Sequence, residues 1–326
     1  MLQLVRWGLA ACAVIGAVQS AQAQNFPDRP IKVVIAFVPG GATDTFARQI
    51  SNDLSEALGQ PIVIENRPGA NGYLAWNFVA GADPDGYTLM FAENALAISQ
   101  ALYKKAQSNF DPVKQFDAIA GLATSPSALI LSNNVPANTV AELITLAKNT
   151  PQKLNYASAG IGSVSHLSFE VFRVGAGFEA VHVPYKGGGQ AVNDVIAGHV
   201  PMTLTSVQVV RGLIETGKVK GLAVTGKKRS VVLPNVPTIP EAGVTTDDVA
   251  LGFWFGIFAP AGVPEPVKAK LDAAAQKVMN NPAVRERLAK LAIEPEYLPA
   301  SVLKTKLQNE IANWTKFIDA HNIKAQ

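Results

Sequence analysis

The sequence predicts an α/β protein built as two lobes with a ligand cleft between them. Strand and helix patterns alternate along most of its 326 residues, and the alternation starts afresh after residue 124. In addition, three glycine-rich turns each follow a predicted strand and open a predicted helix. Because ligands of open α/β sheets bind beyond the carboxyl ends of the strands, we expect these turns to face one cleft.

The first lobe begins with a βαβ pattern. Residues 31–35 form a β-branched strand, and residues 61–64 and 87–91 predict two more strands. The helix after the first strand is marked by apolar residues at every fourth position: Phe46, Ile50, Leu54 and Leu58. Gly59 is placed to end that helix. The pattern indicates a parallel sheet covered by helices on both faces.

The alternation restarts towards the end of the first lobe and continues through the second. Residues 118–123 and 128–131 predict strands on either side of Pro126, and Thr139 with Glu142 predicts a capping box at a helix start. Short strands are then predicted at residues 154–157, 181–183, 202–205 and 222–225.

The chain is expected to cross between the lobes twice. The proline-rich residues 234–243 have a linker-like composition, and an apolar strand at 253–258 follows them. Two amphipathic helices after Pro264 would return to the first lobe. We therefore assign residues 24–124 plus 250–326 to lobe 1 and residues 125–249 to lobe 2.

The first 23 residues predict a secretory signal peptide. Arg6 is followed by an apolar run at residues 7–18 and by an Ala-Gln-Ala cleavage motif at 21–23. We therefore expect cleavage before Gln24 and export of the mature protein to the periplasm. A membrane anchor fits less well because the apolar run is shorter than the roughly 20 residues of a spanning helix. Lipid attachment at Cys12 also fits less well, since little apolar chain precedes it.

Composition excludes several classes of function. Cys12 is the single cysteine, so the mature chain would hold no disulfide, cysteine nucleophile or thiolate metal site. Without Arg6 the chain has 27 lysine and arginine residues against 25 acids. This near balance predicts neither a nucleic-acid partner nor attachment to a membrane surface.

The three glycine-rich turns lie at residues 37–44, 158–163 and 185–189. Glycine allows backbone N–H groups to crowd together, and the first N–H groups of a helix lack partners within it. The helix dipole adds partial positive charge at the same place, so each turn could bind a small anion such as a carboxylate. A single such turn is equally well explained as a tight connection, but three in one chain favour a binding site.

Nucleotide, catalytic and metal sites are poorly supported. Gln190 follows Gly189 where a P-loop needs Lys and then Ser or Thr, and Gly162 lacks the third glycine of a dinucleotide fingerprint. Ser163 and Ser165 precede His166, which permits a hydrolase hypothesis, but there is no Gly-x-Ser-x-Gly elbow. The four histidines show no metal-ligand spacing: His166, His182, His199 and His321. We therefore expect no enzyme activity, no cofactor and no metal.

Several further motifs occur in a familiar order. They lie at residues 26–31, 37–44, 65–72, 156–167, 182–187, 237–243 and 258–262. With them the chain resembles the Bug-type extracytoplasmic solute-binding receptors of tripartite tricarboxylate transporters, over essentially its whole mature length. The resemblance implies the two-lobed, periplasmic-binding-protein-like (type II) fold, a monomer, and a small carboxylate ligand such as an organic acid, an amino acid or a tricarboxylate. Ala36 and Gln190 depart from the prolines common in relatives.

The resemblance also implies partners and contact residues. The partners would be the membrane permease subunits of such a transporter or, alternatively, a signalling partner of an extracytoplasmic sensor domain. Together with the turns, it gives the expected ligand-binding set: Phe37, Pro39, Gly40, Gly41, Thr43, Asp44, Ala92, Asn94, Ser158, Gly160, Ser163, His166, Tyr185, Lys186, Gly187, Thr205 and Ser206. The ligand's identity, its affinity, the open or closed state and the choice between transport and signalling are left open by the sequence.

Overall fold

A computed structural model describes residues 26–103, 109–150, 152–246, 249 and 251–324. The predicted signal peptide and its cleavage site lie outside the described residues. The strands are β1 Ile31–Ile35, β2 Ile62–Asn66, β3 Thr88–Ala92, β4 Phe116–Ser125, β5 Ser127–Leu131, β6 Leu154–Ser158, β7 Ala180–Pro184, β8 Met202–Ser206, β9 Lys220–Val224, β10 Phe253–Pro260 and β11 Glu294–Pro299. 

Helices connect and cover these strands. They are α1 Ala42–Leu58, α2 Tyr73–Ala80, α3 Ala95–Tyr103, α4 Pro112–Gln115, α5 Val140–Asn149, α6 Val164–Ala176, α7 Gly188–Ala197, α8 Val207–Glu215, α9 Glu265–Asn280, α10 Pro282–Ala289 and α11 Ala300–Ala320, with a 3₁₀ turn at Ala70–Gly72 before α2. In α1 the apolar stripe of Phe46, Ile50 and Leu54 is buried, and the N–H of Gly59, at φ 73°, bonds Ser55 to end the helix.

The strands form two sheets. One has the order β11-β4-β10-β3-β1-β2 and the other β7-β6-β8-β5-β9. In each sheet the strands followed by the glycine-rich turns run parallel to a neighbour: β1 to β2 and β3 in the first, and β6 to β7 and β8 in the second. Their carboxyl ends, and hence the turns, therefore point the same way within each sheet.

The chain passes between the sheets twice, from β4 to β5 and from β9 to β10. The first passes through Pro126 between β4 and β5, and Thr225, at the end of β9, bonds Ser127 with both its backbone N–H and its hydroxyl. On the other side Phe253 of β10 pairs with Ser125 of β4. This division of strands supports the proposed lobes, 24–124 plus 250–326 and 125–249.

Three sequence-based predictions needed correction. The first sheet is mixed rather than parallel, because β10 runs antiparallel to both of its neighbours, β3 and β4. The C-terminal part holds α9, α10 and α11 rather than two helices, and the strand β11 between the last two was missed. The Thr139 hydroxyl does cap Glu142 N–H at 3.1 Å, but the Glu142 carboxylate accepts from Asn138 N–H at 2.7 Å, one residue before the expected partner.

Candidate carboxylate-binding cleft

At the N-terminus of α1, several backbone N–H groups lack a hydrogen-bond partner among the described residues. Its N-cap is Gly41, which has no side chain to accept a hydrogen bond from the helix. Among the described residues, the backbone N–H groups of Ala42, Thr43 and Asp44 have no hydrogen-bond partner. A helix of 17 residues adds partial positive charge at the same point, so this turn favours an anion.

Asp44 holds the turn before α1 in shape. It is 3% exposed, and its carboxylate accepts from Gly40 N–H at 2.9 Å, from Asn66 at 3.0 Å and from Arg48 at 2.9 Å. Burial alone would raise the pKa of Asp44, but the bonds from Arg48, Gly40 and Asn66 together lower it. Asp44 therefore stays ionised, and its charge is neutralised by Arg48 on the side of the turn.

The N-terminus of α6 comes from the other sheet. Ser163 is its N-cap, donating its hydroxyl to Gly160 C=O at 2.6 Å and accepting from His166 N–H at 3.3 Å. The Ser165 hydroxyl accepts from Ala159 N–H at 2.9 Å, which fixes the turn after β6. The N–H groups of Val164 and Ser165 have no partner within the part of the chain described.

The N-terminus of α7 resembles that of α1. Its N-cap is Gly187, again without a side-chain cap. A Cβ at Gly187 would lie 2.3 Å from Cγ2 of Val38, a residue of the opposite lobe. Glycine is needed here because the Gly187 backbone packs directly against the Val38 side chain of the opposite lobe, and Gly188 and Gly189 line the cleft beside this contact.

These three helix starts line one cleft between the sheets. Its lining comprises Phe37, Val38, Gly41, Ala42, Thr43, Asp44, Glu93, Ala159, Ser163, Val164, Ser165, Gly187, Gly188, Gly189, Thr205, Val209 and Phe253. Beside the cleft, Gln208 of lobe 2 donates its side-chain N–H to Ala42 C=O of lobe 1 at 2.8 Å, so the two lobes are in contact there. Among the described lining residues, none is lysine, arginine or histidine.

Glu93 is the second acid in the cleft. It follows β3 directly, is 7% exposed, and its Oε2 accepts from the Thr43 hydroxyl at 2.6 Å. Burial raises the pKa of Glu93 to about 7, although the bond from Thr43 acts to lower it.

Comparison with known proteins identifies the family. A family model described as "Tripartite tricarboxylate transporter family receptor" matches residues 46–323. A UPF0065 protein of Cupriavidus necator is 36% identical over 299 residues, which are 90% of this chain and 89% of that protein. The chain belongs to this receptor family.

Solved structures agree with that assignment. The periplasmic binding protein BugD matches the receptor with a TM-score of 0.85 at 31% identity, over 92% of this chain and 100% of BugD. MatC of Rhodopseudomonas palustris, solved with bound malate, matches with a TM-score of 0.83 at 35% identity, over 89% of this chain and 99% of MatC. The predicted family and two-lobed fold are confirmed, and the protein is a solute-binding receptor rather than an enzyme.

The structure brings part of the predicted contact set into the cleft of the receptor. The residues that line it are Phe37, Gly41, Thr43, Asp44, Ser163, Gly187 and Thr205. Pro39 and Gly40 lie on the exposed side of their turn. There the Gly40 N–H donates a hydrogen bond to Asp44, which stabilises the turn. Lys186 is likewise exposed and outside the lining.

Other predicted residues support the cleft from behind. Asn94 accepts from Trp254 N–H at 2.9 Å and donates to Glu310 at 3.2 Å, so its amide ties β10 to α11. The Tyr185 hydroxyl donates to Asp194 at 2.6 Å. Four more lie outside the lining because they complete strands or turns: Ala92, Ser158, Gly160 and Ser206.

His166 belongs to a buried aromatic stack rather than to the cleft. Its Nδ1 accepts from Gly162 N–H at 3.2 Å, and its ring lies 3.9 Å from that of His182. Burial lowers the pKa of both histidines, that of His182 to about 4. The His166 ring makes no hydrogen bond with Ser163 or Ser165 among the described residues, so these two hydroxyls are not paired with His166 as nucleophile and base.

The sequence-based set missed ten lining residues, of which Glu93 matters most. The other nine are Val38, Ala42, Ala159, Val164, Ser165, Gly188, Gly189, Val209 and Phe253. Most are neighbours of predicted residues in the same turns. Glu93 carried a signal of its own, since it is an acid inside the apolar stretch between β3 and α3, just after the carboxyl end of a strand.

Two features are absent from the described part of the chain. No helix in it is long and apolar enough to cross a membrane. Within the same residues, no cluster of three or more His, Cys, Asp or Glu side chains is placed to hold a metal ion.

Proposed function

We propose that this protein is a periplasmic receptor that captures a small carboxylate between its two lobes and delivers it to the membrane subunits of a tripartite tricarboxylate transporter. The predicted signal peptide supports export, and family membership supports the transport partner. The malate bound to MatC supports a carboxylate as the ligand class.

One observation carries the proposal. The starts of α1, α6 and α7, from opposite lobes, present unpaired backbone amides to a single cleft whose described lining holds no basic side chain. Amides and helix dipoles are then the groups available to neutralise an anion. We propose that the carboxylate accepts from the amides of Ala42 and Thr43 in lobe 1 and from those of Val164 and Gly188 in lobe 2.

Such a site would bind an anion reversibly, with moderate affinity. A hydrogen bond to a charged group contributes about 1.5–3 kcal/mol net. Four of them contribute about 6–12 kcal/mol, and an association cost of at least about 4 kcal/mol leaves at most roughly −8 kcal/mol, or micromolar affinity. Bridging waters would adapt the same amides to different carbon skeletons.

The test measures ligand-induced stabilisation of the dialysed protein across a panel of organic acids and amino acids. A true ligand at one hundred times its Kd should stabilise the fold by about 2.7 kcal/mol, seen as a rise in Tm. If no compound in the panel raises Tm, the proposal is wrong.

Gly41→Asp tests the position of the anion site. Gly41 has φ −76°, and a Cβ there meets its nearest neighbour, Val38 C=O, at an ordinary 3.7 Å, so the fold accommodates the change. The new carboxylate would cap α1 and occupy its amides, stabilising the empty protein by a few tenths of a kcal/mol while abolishing binding. Gly212→Asp on the exposed face of α8 is the matched control and should bind normally. Normal binding by Gly41→Asp would show that the anion lies elsewhere.

A further inference from the structure

Glu93 places an acceptor where the proposed ligand would lie. Its carboxylate is more than nine-tenths buried at the carboxyl end of β3 and lines the cleft. Thr43 occupies Oε2, whereas Oε1 has no hydrogen-bond partner among the residues the structure describes. The cleft therefore contains a half-satisfied carboxylate beside the amides of α1.

The charge of Glu93 has no counterpart among the residues that the structure describes. The only other acid in the described lining is Asp44, which is paired with Arg48 and bonded to Asn66. No cation of the described lining faces Glu93. An ionised carboxylate buried without a partner is costly, and the raised pKa of Glu93 reflects that cost.

The chemistry of the ligand can remove the cost. An ammonium group placed against Oε1 would supply the missing donor and the opposite charge, and such a pair is strong where the local dielectric constant is low, as around a buried side chain. A second carboxylate at the same place would instead meet like charge, or would require Glu93 to take up a proton.

We propose that Glu93 selects ligands that carry an ammonium group beside their carboxylate, so that this receptor binds an amino acid in preference to di- and tricarboxylates lacking an amine. The inference rests on the proposed function. Thr43 lies in the first turn of α1 and bonds Glu93 directly, so the anion site and the cation site are neighbours. That proximity suits an α-amino acid, whose two charges are attached to one carbon atom.

The first experiment compares acids that differ only in the amine. Calorimetric titrations would use L-aspartate against succinate, L-glutamate against glutarate, and L-leucine against 4-methylpentanoate. In at least one pair the amino acid should bind tenfold or more tightly than its partner. If every pair binds equally, or the acids without an amine bind more tightly, the inference is wrong.

Glu93→Gln links that preference to the carboxylate. The variant keeps the shape and the acceptor for Thr43 but removes the charge, so the ratio within the pair should fall towards one. Glu56→Gln, on the exposed face of α1, is the matched control and should keep the ratio. An unchanged ratio in Glu93→Gln would show that the amine is read by another group.

Proton release gives a second readout near pH 7. Binding of an ammonium should ionise Glu93, so titrations in buffers of different ionisation enthalpy should reveal release of protons, whereas uptake would indicate a ligand carboxylate against a protonated Glu93. The groups on neighbouring elements are Asp44 and Arg48 on α1, His166 on α6, and Glu310 with Lys306 on α11. Since burial also raises the pKa of Glu310, the decisive quantity is the difference between wild type and Glu93→Gln.

Failure of the inference can be told from failure of the proposed function. Tight binding confined to acids without an amine would overturn the role of Glu93 and leave the carboxylate receptor intact. Absence of binding by every acid, with or without an amine, would overturn both.

Discussion

The stability of the empty receptor should depend on Glu93 in a manner that pH reveals. The side chain is buried in the cleft with one hydrogen bond, from Thr43, and without a cationic partner in the described lining. Its folded-state pKa of about 7 exceeds its ordinary value of 4.5. A raised pKa stabilises the folded state below pH 4.5, and this stabilisation is lost as pH rises through 7.

The size of the effect follows from the shift. Each pKa unit corresponds to about 1.36 kcal/mol, so the ionised side chain destabilises the fold by about 3 kcal/mol at pH 8 relative to pH 4.5. Glu93→Gln cannot ionise and keeps an acceptor for Thr43. The variant should therefore be more stable than wild type at pH 8, by up to about 3 kcal/mol, and similar to wild type at pH 4.5.

Urea unfolding of the ligand-free protein at both pH values measures this difference directly. Glu56→Gln, an exposed change on α1, controls for the loss of one charge and should match wild type throughout. If Glu93→Gln and wild type differ by the same amount at pH 8 and pH 4.5, Glu93 does not titrate as argued. Destabilisation of the variant at pH 8 would likewise contradict the reasoning.

Three further predictions concern the cleft and its support. Gly187→Ala should weaken ligand binding tenfold or more in calorimetry because its methyl group meets the opposite lobe, while Gly212→Ala in open space should bind as wild type. Asp44→Asn should lower the free energy of unfolding by about 1.5–3 kcal/mol in urea, since charged hydrogen bonds to the turn are lost, and unchanged stability would contradict its structural role. Burial lowers the pKa of His182 to about 4, so protonation of His182 should destabilise the fold as pH falls from 6.5 towards 4. The urea midpoint of His182→Gln should therefore depend less on pH over that range than the midpoint of wild type.

The proposed role of Glu93 links the stability of the empty protein to its choice of ligand. A buried acid without a partner weakens the empty protein, but the same cost makes a cationic group on the ligand favourable. Binding sites commonly sacrifice stability in this way. The predicted gain in Glu93→Gln and the predicted loss of ligand preference are therefore two consequences of one feature.

Local sequence patterns predicted most of the elements correctly. The four-residue apolar repeat and Gly59 gave the extent of α1, and Thr139 marked the start of α5. These signals are local because capping and helix packing depend on residues within one or two turns of each other. The edge strand β11 was missed since its residues are partly exposed and include two prolines, which are uncommon in strands.

The sequence by itself determined that three glycine-rich turns open helices in an α/β protein and that two of them contain no basic residue, because turn chemistry and hydrophobic periodicity depend on neighbouring residues. Only the tertiary structure decided which of those residues meet. Asn94 turns inward to Trp254 and Glu310, whereas its neighbour Glu93 lines the cleft against Thr43, fifty residues earlier. Which side of a chain faces a cleft depends on how distant elements pack, and that packing placed the Glu93 carboxyl group beside the α1 amides that we propose receive the ligand.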